Sequence, residues 1–439
     1  MRLLLVSPYF PPQRGAASIR LWALARQACA AGIEVDVLTT AKHPDQVIEW
    51  EGEFSGTVHE IEYQVPRILR SLRKVHKQED GVEHGGVADS GSGVGRLIKG
   101  TLGRVRAKTG VYSSVRMPDL TDYWVGPAIE WASEHQKTAA PWDVVVSSSG
   151  PYTAHLAAME IKKRGLARAW VAEFRDLWTA NQPFKGCFPT TLRERQLENR
   201  VLRSADGLVT VSRPMGDWLG VRSNAPVEVI YNGYNELNPD CLTSKSSGKP
   251  SGLKESVRLV FTGRIYPGNQ CPRAILSALA TLRKEGVDIT LAVAGSSCDL
   301  WEHHAQELGA LDGLELLGVV THERAIELQR SASALVAIEW SDPKAGVLSS
   351  KLFEYIAAGP MVLLTGPDDG AMGAMLSRTG RGIRLGKSPE QVEQSLRSLI
   401  ASEQTFPEPI ASEIEQLSRS AQSQRMIEFC QRIAYSAPD

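Results

Sequence analysis

The sequence has little of what several protein classes require. Its six cysteines are scattered at positions 29, 187, 241, 271, 298 and 430, without a CxxC pair or a zinc-like spacing. This pattern indicates reduced thiols and excludes a disulfide framework as the basis of the fold. The nine histidines include no HExxH motif, so we expect no protein-bound metal.

Long apolar runs and a strong net charge are also absent. The first apolar run, LLLV at residues 3–6, is shorter than the roughly 7–15 residues of a signal-peptide core, and prolines follow it. No stretch approaches the roughly 20 apolar residues of a membrane-spanning helix. The formal net charge is −1, which favours neither nucleic acid nor a membrane. We expect a cytoplasmic protein that does not bind nucleic acid.

Short apolar strands alternate with amphipathic helices instead. LLLVSP predicts a buried strand, IRLWALARQACAAG a helix that ends at Gly32, and IEVDVLTT a second strand. A strand, a helix and a strand in this order predict a parallel sheet, because the crossover is right-handed. The alternation continues through DVVVSSSGP, YTAHLAAMEIKKRG, AWVAEF and LRERQLENRVLRSA.

One segment interrupts this series and predicts two domains. Residues 238–256 are rich in serine, lysine, glycine and proline, which is linker composition. We predict an α/β protein with two Rossmann-like parallel-sheet domains, residues 1–237 and 257–415, and a C-terminal helix at 416–439 that packs back on the first domain. Open parallel sheets bind ligands at the carboxyl ends of their strands, so we expect the site in a cleft between the domains.

A basic segment fits neither domain. Residues 67–116 hold eleven Lys and Arg against four acids, and RILRSLRKVHK has apolar residues at helical spacing. A glycine-rich stretch, GVEHGGVADSGSGVG, follows. Two interpretations remain open: a basic amphipathic element on an anionic membrane surface, or a solvated insertion.

The most informative stretch is AGVLSSKLFEYIAAGPMVLL at residues 345–364. Lys351 and Glu354 share one face of its predicted helix. Two interpretations are open: the pair binds a ligand, or it forms a surface salt bridge. In FTGRIYPGN, Gly263 and Arg264 directly follow an apolar strand. A diphosphate is bound by a guanidinium, an ammonium and the amides of a helix N-terminus, and a ribose diol by a carboxylate. These residues therefore predict a nucleotide-sugar site.

Several motifs together resemble one family over nearly the whole chain. They are SPYFPPQRGAASIRLWALARQAC at 7–29, EFRDLW at 173–178, LRSADGLVTVS at 202–212, VIYNGYN at 229–235, FTGRIYPG at 261–268 and KLFEYIAAG at 351–359. In this order they resemble the retaining glycosyltransferases of the GT-B fold, family 4, and most of all bacterial enzymes of surface polysaccharide and lipid-linked oligosaccharide synthesis. The resemblance implies transfer of a sugar from a nucleotide-sugar co-substrate to a glycan or lipid-linked acceptor, with retention and without a cofactor. The expected location is cytoplasmic, and the membrane interpretation of the basic segment 67–116 would place the protein peripherally on the inner face of the membrane.

The resemblance also implies roles for individual residues. Glu354 matches the family's ribose-binding glutamate, and Arg264 matches the arginine on the donor diphosphate. Two family positions differ, since Asn269 replaces a lysine and Gly346 replaces the glutamate that contacts the transferred sugar. The predicted donor-binding set is Gly15, Gly263, Arg264, Asn269, Gly346, Val347, Leu348, Ser349, Lys351 and Glu354.

On the acceptor side the candidates are His155, Arg175 and Asp176. Asp176 is interpreted either as a catalytic base or as half of an ion pair with Arg175, and His155 either as cleft-facing or as a packed helix residue. The loop at Gly15 either approaches the donor or is a plain turn. The predicted catalytic set is Arg264, Lys351, Glu354 and Asp176.

Two alternative functions remain. Gly346 and Asn269 motivate a non-catalytic GT-B-fold partner subunit, and a nucleotide-sugar 2-epimerase would share the fold. No GxSxG elbow and no paired catalytic carboxylates are present, which suits a reaction driven by electrostatic stabilisation of a departing diphosphate. The nucleotide base, the donor sugar and the acceptor are not specified by these patterns.

Overall fold

The computed structural model describes residues 1–13, 15–42, 54–69, 108–181, 183–235, 237–238, 256–342, 346–401 and 403–436. The chain forms two compact units. The first comprises Met1–Tyr231 and Gln422–Asp439, and the second comprises Asn232–Ala421. Each has one parallel sheet covered by helices, which confirms the predicted fold class of two parallel-sheet α/β domains.

The described part of the first unit has a seven-stranded sheet. Its strands are β1 (Arg2–Val6), β2 (Glu34–Thr40), β3 (Thr57–Ile61), β4 (Trp142–Ser149), β5 (Ala167–Phe174), β6 (Gly207–Thr210) and β7 (Val227–Val229). Its helices before the second unit are α1 (Ala16–Ala30), α2 (Asp122–His135), α3 (Thr153–Lys163), α4 (Thr190–Ser204) and α5 (Arg213–Gly220), with a 3-10 turn at Arg67–Leu69. The strand order β3-β2-β1-β4-β5-β6-β7 reverses between β1 and β4, where Leu4 pairs with Val145.

The described part of the second unit has a six-stranded sheet. Its strands are β8 (Ser256–Thr262), β9 (Asp288–Ala294), β10 (Leu314–Gly318), β11 (Ala334–Ile338), β12 (Val362–Thr365) and β13 (Gly382–Gly386). The helices that follow β8 are α6 (Arg273–Lys284), α7 (Cys298–Leu308), α8 (His322–Arg330), α9 (Ser350–Ala358), α10 (Ala371–Thr379), α11 (Pro389–Ile400), α12 (Ala411–Glu415) and α13 (Arg419–Ser436), with a 3-10 turn at Leu311–Gly313. The order β10-β9-β8-β11-β12-β13 reverses between β8 and β11, where Val260 pairs with Leu335.

The strands are almost continuously apolar because helices cover both faces of each sheet. In the first unit, one face of the sheet packs against α1 and α13, and this core includes Leu3, Leu5, Val35, Val37, Val144, Leu21, Leu24, Met426 and Phe429. On the other face, Trp124 of α2 is buried and its indole Nε1 donates to the carbonyl of Thr39 at 3.3 Å. In the second unit the core includes Leu259, Leu291, Val293, Ile275, Leu279, Trp301 and Leu396. Each such side chain contributes about 1.5–3 kcal/mol through its burial.

The boundary between the units lies at Tyr231, earlier than the predicted 237. The Tyr234 hydroxyl donates to the Ile414 carbonyl at 2.9 Å, and the Asn238 amide donates to the Ala357 carbonyl at 3.0 Å. These contacts fix the residues after Tyr231 to the second unit.

Two predicted segments fall largely outside the described residues. Of the predicted linker 238–256 only its two ends are described, and of the basic segment 67–116 only 67–69 and 108–116. The membrane interpretation of that segment therefore stays a prediction. Within the described residues, no helix combines the length and apolarity needed to cross a bilayer.

Candidate functional site

Three neighbouring strands of the second sheet each end at a glycine with positive φ. Gly263 and Gly295 follow β8 and β9, Gly318 ends β10, and their φ angles are 132°, 147° and 67°. The Gly263 amide donates to the Ala294 carbonyl at 2.8 Å, and the Gly295 amide to the Gly318 carbonyl at 2.7 Å. A Cβ at Gly295 would lie 1.9 Å from the Gly263 carbonyl oxygen, so only glycine permits this approach. The loops after β8 and β9 therefore leave the sheet side by side.

Arg264 lies in an open position directly after Gly263. Its side chain is exposed, its guanidinium carbon lies 5.3 Å from the centroid of the Tyr266 ring, and none of the described carboxylates forms a salt bridge with it. The loop itself is fixed, because the Asn269 amide donates to the Tyr266 carbonyl at 3.0 Å. The Asn269 carbonyl in turn accepts from the Ser341 amide, after β11, at 2.7 Å. Arg264 thus lies exposed on an anchored loop at the strand-order reversal, with no ion-pair partner among the described residues.

Lys351 and Glu354 lie beside this loop on α9. The Lys351 Nζ is 2.7 Å from a Glu354 carboxylate oxygen, and the two side chains are 32% and 25% exposed. A Cβ on Gly263 would lie 3.6 Å from the Lys351 Cγ, so the lysine stem passes over Gly263. The structure therefore brings Gly263, Lys351 and Glu354 together, with the last two as a half-buried ion pair.

Tyr355 fixes α9 to the end of β8, and the motif analysis assigned it no role. Its hydroxyl accepts from the Thr262 amide at 2.6 Å and donates to the Thr262 carbonyl at 3.1 Å. The Thr262 hydroxyl also accepts from the buried Gln329 amide group at 2.9 Å. Burial raises the pKa of Tyr355 to about 12, so this hydroxyl stays protonated and keeps donating. Tyr355 thereby sets the position of Glu354 relative to Gly263.

The loop before α9 contains residues 346–349, which belong to the predicted donor-binding set. Gly346 has φ 63° and is buried, Val347 is half-buried and Leu348 is buried. At the start of α9, the Lys351 amide donates to the Ser349 hydroxyl at 3.3 Å, and the Leu352 amide donates to the Ser349 carbonyl at 3.1 Å. Two of the first-turn amides are therefore already bonded within the protein, which leaves the amides before them as candidates for an anion.

A second helix N-terminus at this edge is already filled by a carboxylate. Glu339 directly follows β11 and is 3% exposed, and one of its oxygens accepts from the amides of Met372 and Gly373 at 2.9 and 3.1 Å. Burial raises the pKa of the Glu339 carboxyl, while these α10 amides favour its ionised form. A Cβ at Gly370 would lie 2.1 Å from this carboxylate, so a glycine is required there. The N-terminus of α10 is therefore occupied by a carboxylate of the protein itself.

The candidates of the first unit lie at the carboxyl ends of its strands. Gly15 is the N-cap of α1 with φ 149° and is exposed. The Arg175 guanidinium donates to the Ser148 hydroxyl at 3.1 Å and to the Gly150 carbonyl at 2.7 Å, so it braces the end of β4. Asp176 is exposed beside it. The guanidinium is thus engaged by β4, and the role of Asp176 as a base stays a prediction.

His155 is completely buried, so its side chain is not available to an acceptor sugar. Its Nδ1 lies 2.8 Å from the Ser147 hydroxyl, and its ring packs 4.4 Å from the centroid of Phe174. The Ser147 hydroxyl also accepts from the Trp170 indole at 2.8 Å. Of the two interpretations, the structure favours the packed helix histidine and corrects the assignment of His155 to the acceptor side.

This burial predicts a specific pH dependence of stability. Burial, with nearby Arg175, lowers the pKa of His155 to about 3, whereas an exposed histidine titrates near 6.5. Between these values the unfolded chain binds a proton that the folded chain does not, so stability falls as pH falls from 6.5 toward 3. At pH 5 the expected loss from His155 is about 2 kcal/mol. Urea unfolding at pH 7 and pH 5 measures it.

The variant His155→Asn keeps a polar group for Ser147 and removes the titration. Its stability should change less between pH 7 and pH 5 than that of the wild type, by about 2 kcal/mol. The matched control is His322→Asn, at an exposed position. Equal pH dependence in wild type and His155→Asn would show that His155 is not held neutral by the fold.

Sequence reasoning also missed a buried ion pair in the first unit. The Arg20 guanidinium of α1 lies 2.7 Å from the Glu173 carboxylate of β5, with side chains only 8% and 2% exposed. Arg20 further donates to the carbonyls of Ile230 and Tyr231 at 2.9 and 2.5 Å. Burial alone would raise the pKa of Glu173, but Arg20 holds it below its usual value. The pair spans 153 residues, so no local pattern could reveal it.

One cluster of potential metal ligands occurs among the described residues. His303, His304 and Glu307 of α7 have ligand atoms within 4.8 Å of one another. The Arg273 guanidinium already forms a salt bridge with Glu307 and lies 3.4 Å from the His304 Nδ1. A cation there would have to displace Arg273, and the expectation of no bound metal stays a prediction.

Residues 15–233, about half of the chain, match the family model of the glycosyl transferase 4-like domain. No curated protein sequence matches the chain.

Solved structures with a similar fold span almost all of the chain. Sucrose-phosphate synthase from Thermosynechococcus elongatus is 13% identical with a TM-score of 0.63, and 99% of each chain is covered. The lipopolysaccharide outer core galactosyltransferase WaaB is 12% identical with a TM-score of 0.57 and 99% of each chain covered. Anabaena HepE, solved in complex with UDP-glucose, is 13% identical with a TM-score of 0.53 and the same coverage. At these identities the similarity concerns the fold.

Proposed function

Since this chain belongs to the GT-B glycosyltransferases of family 4 type, we propose that it transfers a sugar from a nucleotide-sugar donor to a glycan or lipid-linked acceptor. We further propose that the anomeric configuration is retained and that the product enters a cell-surface polysaccharide or glycolipid. In this proposal the protein acts in the cytoplasm, peripheral on the inner face of the membrane, without a cofactor or a bound metal.

The observation that carries the donor proposal is the arrangement at the end of β8. Arg264, Lys351 and Glu354 stand around Gly263, at the reversal of strand order where parallel sheets bind ligands. Two cations suit a diphosphate, and a carboxylate suits the two hydroxyls of a ribose. The exposed guanidinium of Arg264 has no competing carboxylate among the described residues.

The Lys351–Glu354 ion pair does not oppose this role, because it is weak. A partly exposed pair at i and i+3 contributes about 0–1 kcal/mol. A hydrogen bond from a charged group contributes roughly 1.5–3 kcal/mol. Replacing the ion pair by a contact of Lys351 with phosphate and of Glu354 with ribose hydroxyls is therefore favourable. In the free protein, the ion pair keeps both side chains in position.

The proposed reaction relies on stabilising a departing diphosphate. As the bond between sugar and phosphate lengthens, negative charge accumulates on the phosphate oxygens. Arg264, Lys351 and the amides before α9 would stabilise this charge without having to reorganise. The acceptor hydroxyl would attack from the face that the diphosphate leaves, and its proton would pass to a phosphate oxygen or to Asp176.

The donor sugar is proposed to contact backbone rather than a glutamate. Gly346 stands where the resemblance would place a glutamate. It has a positive φ and no side chain, so only backbone atoms are present at this turn. Glu339 does not substitute, because α10 amides already bind its carboxylate. Asn269 leaves the diphosphate with two cationic side chains, Arg264 and Lys351.

Deoxynucleotides test the role of Glu354. UDP is the first ligand to use, because HepE was solved with UDP-glucose, and GDP is the second. Removing the 2′- or 3′-hydroxyl of the ligand should weaken wild-type binding roughly 10- to 150-fold, as expected for a hydrogen bond to a charged group. In Glu354→Gln the penalty should shrink to a few-fold, whereas Glu327→Gln, an exposed glutamate of α8, should behave as wild type. An unchanged penalty in Glu354→Gln would remove Glu354 from the ribose site.

A further inference from the structure

Helix α4 turns both of its carboxylates into the protein. Glu194 is 0% exposed and accepts from the Arg116 guanidinium at 2.7 and 3.0 Å. Glu198 is 2% exposed and accepts from the Thr179 amide at 3.0 Å. These are the only acids in the sequence of α4. The outer surface of the helix therefore carries no negative charge of its own.

The outward side of α4 is basic and flanked by exposed apolar groups. We call it the α4 face, and it consists of Phe188, Leu192, Arg193, Arg195, Arg200 and Arg203. Phe188 and Leu192 are 77% and 52% exposed, and all four arginines are exposed. Within the described part of the chain, none of these arginines forms a salt bridge.

Helical spacing aligns these groups into two adjacent stripes. Arg193, Arg200 and Arg203 follow one another at intervals of seven and three residues, with Gln196 between them. Leu192 and Arg195, three residues apart, form the neighbouring stripe, and Phe188 lies just before the helix, which begins at Thr190. Ordinary solvated helices mix both charge signs on their outer face, but here the acids are all inside.

The surface continues beyond the end of α4. The Ser223 hydroxyl donates to the Leu202 carbonyl at 2.7 Å, which places the turn after α5 beside the last turn of α4. In that turn Val221 is 90% exposed and Arg222 is exposed as well. Exposed apolar residues and exposed arginines thus occur together at both ends of the helix, and the Arg222 guanidinium lies 4.2 Å from the centroid of the Trp218 ring.

We infer that the α4 face docks on a lipid bilayer that contains anionic headgroups. The guanidinium groups match headgroup phosphates in charge and geometry, and the two apolar side chains at Phe188 and Leu192 match the boundary of the acyl chains. A soluble polyanion would use the arginines but would leave the apolar side chains in water. The net charge of the whole chain is −1, so the attraction is local and fixes an orientation.

Binding of the α4 face to a bilayer is argued from the surface itself. Only its purpose rests on the proposed function. A transferase with a lipid-linked acceptor gains from being held at the surface where the acceptor lies. The six residues of the α4 face all lie outside the predicted basic segment 67–116, whose Arg116 contacts the buried side of α4 through Glu194. Binding to a bilayer can therefore be tested apart from transfer.

The test is sedimentation of the full-length protein with vesicles. One set contains phosphatidylglycerol mixed with phosphatidylcholine, and the other contains phosphatidylcholine alone. Each basic residue near an anionic surface raises partitioning about fivefold, so Arg193→Gln/Arg200→Gln should bind the anionic vesicles about 30-fold more weakly. Lys284→Gln/Lys387→Gln removes two exposed charges from the second unit and should bind as wild type does.

A second variant separates a bilayer from a soluble polyanion. Phe188→Ser should weaken binding to anionic vesicles and leave binding to heparin unchanged. The proposal is overturned if wild type binds neither kind of vesicle, if it binds both equally, or if the arginine pair sediments as wild type does. It is also overturned if heparin binding depends on the arginines while vesicle binding does not. The wild type and the three variants should all transfer sugar to a soluble acceptor. A wild type without this activity would count against the proposed function and not against the α4 face.

Discussion

Replacing Arg264 with glutamine is expected to lower kcat/KM for sugar transfer by about 10²- to 10³-fold. Loss of one preorganised donor to a developing negative charge costs about 2.7–4 kcal/mol of transition-state stabilisation. Arg264 is the exposed cation next to Gly263, and Lys351 alone would remain on the diphosphate. Most of the loss should appear in kcat, because the charge on the leaving group is larger in the transition state than in the bound donor.

The matched control is Arg258→Gln, an arginine at the other end of β8. Its guanidinium lies 2.7 Å from an exposed Glu315 carboxylate, far from the strand end that carries Gly263. This variant should transfer sugar within a few-fold of wild type, because exposed ion pairs contribute little. Equal rates for Arg264→Gln and Arg258→Gln would remove Arg264 from the reaction. An inactive wild type that still binds nucleotides would favour the non-catalytic partner subunit.

Replacing Glu194 with alanine is expected to destabilise the first unit by about 3–5 kcal/mol. The Glu194 carboxylate accepts from Arg116, from the Met117 amide at 2.8 Å and from the Trp178 indole at 3.2 Å. The Arg116 side chain is 2% exposed, so the variant leaves a buried guanidinium without its carboxylate. Removing one partner of a buried pair is far more costly than the pair is stabilising.

Urea unfolding at neutral pH measures this loss, with Glu160→Ala as the control. Glu160 of α3 pairs with Arg164 at 3.0 Å, but the two side chains are 32% and 45% exposed. Its removal should cost less than about 1 kcal/mol. If Glu194→Ala were no less stable than Glu160→Ala, Glu194 would not be the anchor that joins residues 116–117 to α4.

The fold was predictable because its signals are local. LLLVSP and VRLVFTGR are apolar runs of strand length, and β1 and β8 overlap them, each starting one residue earlier. Capping serines and glycines then mark where helices start and stop, as Ser349 and Gly359 do for α9. The boundary between units was placed too late, because residues near Tyr234 are held by hydrogen bonds to residues far along the chain.

The candidate site was predictable only in part. Lys351 and Glu354 are three residues apart, so helix geometry alone brings them together. Glu339, Tyr355 and Arg20 act through partners 33 to 153 residues away, and no spacing pattern reports such pairs. His155 could not be assigned from sequence, because a helix histidine beside a strand end can face either the core or solvent.

The carboxyl end of the second sheet is proposed to bind a diphosphate. The most direct test is calorimetric binding of a nucleoside and its diphosphate, uridine with UDP and guanosine with GDP, to wild type and to Arg264→Gln/Lys351→Gln. Wild type should prefer one of the diphosphates to its nucleoside by at least about 10²-fold, and the double variant should lose most of this preference. The same preference in both proteins would contradict this proposal, because the diphosphate would then be bound elsewhere.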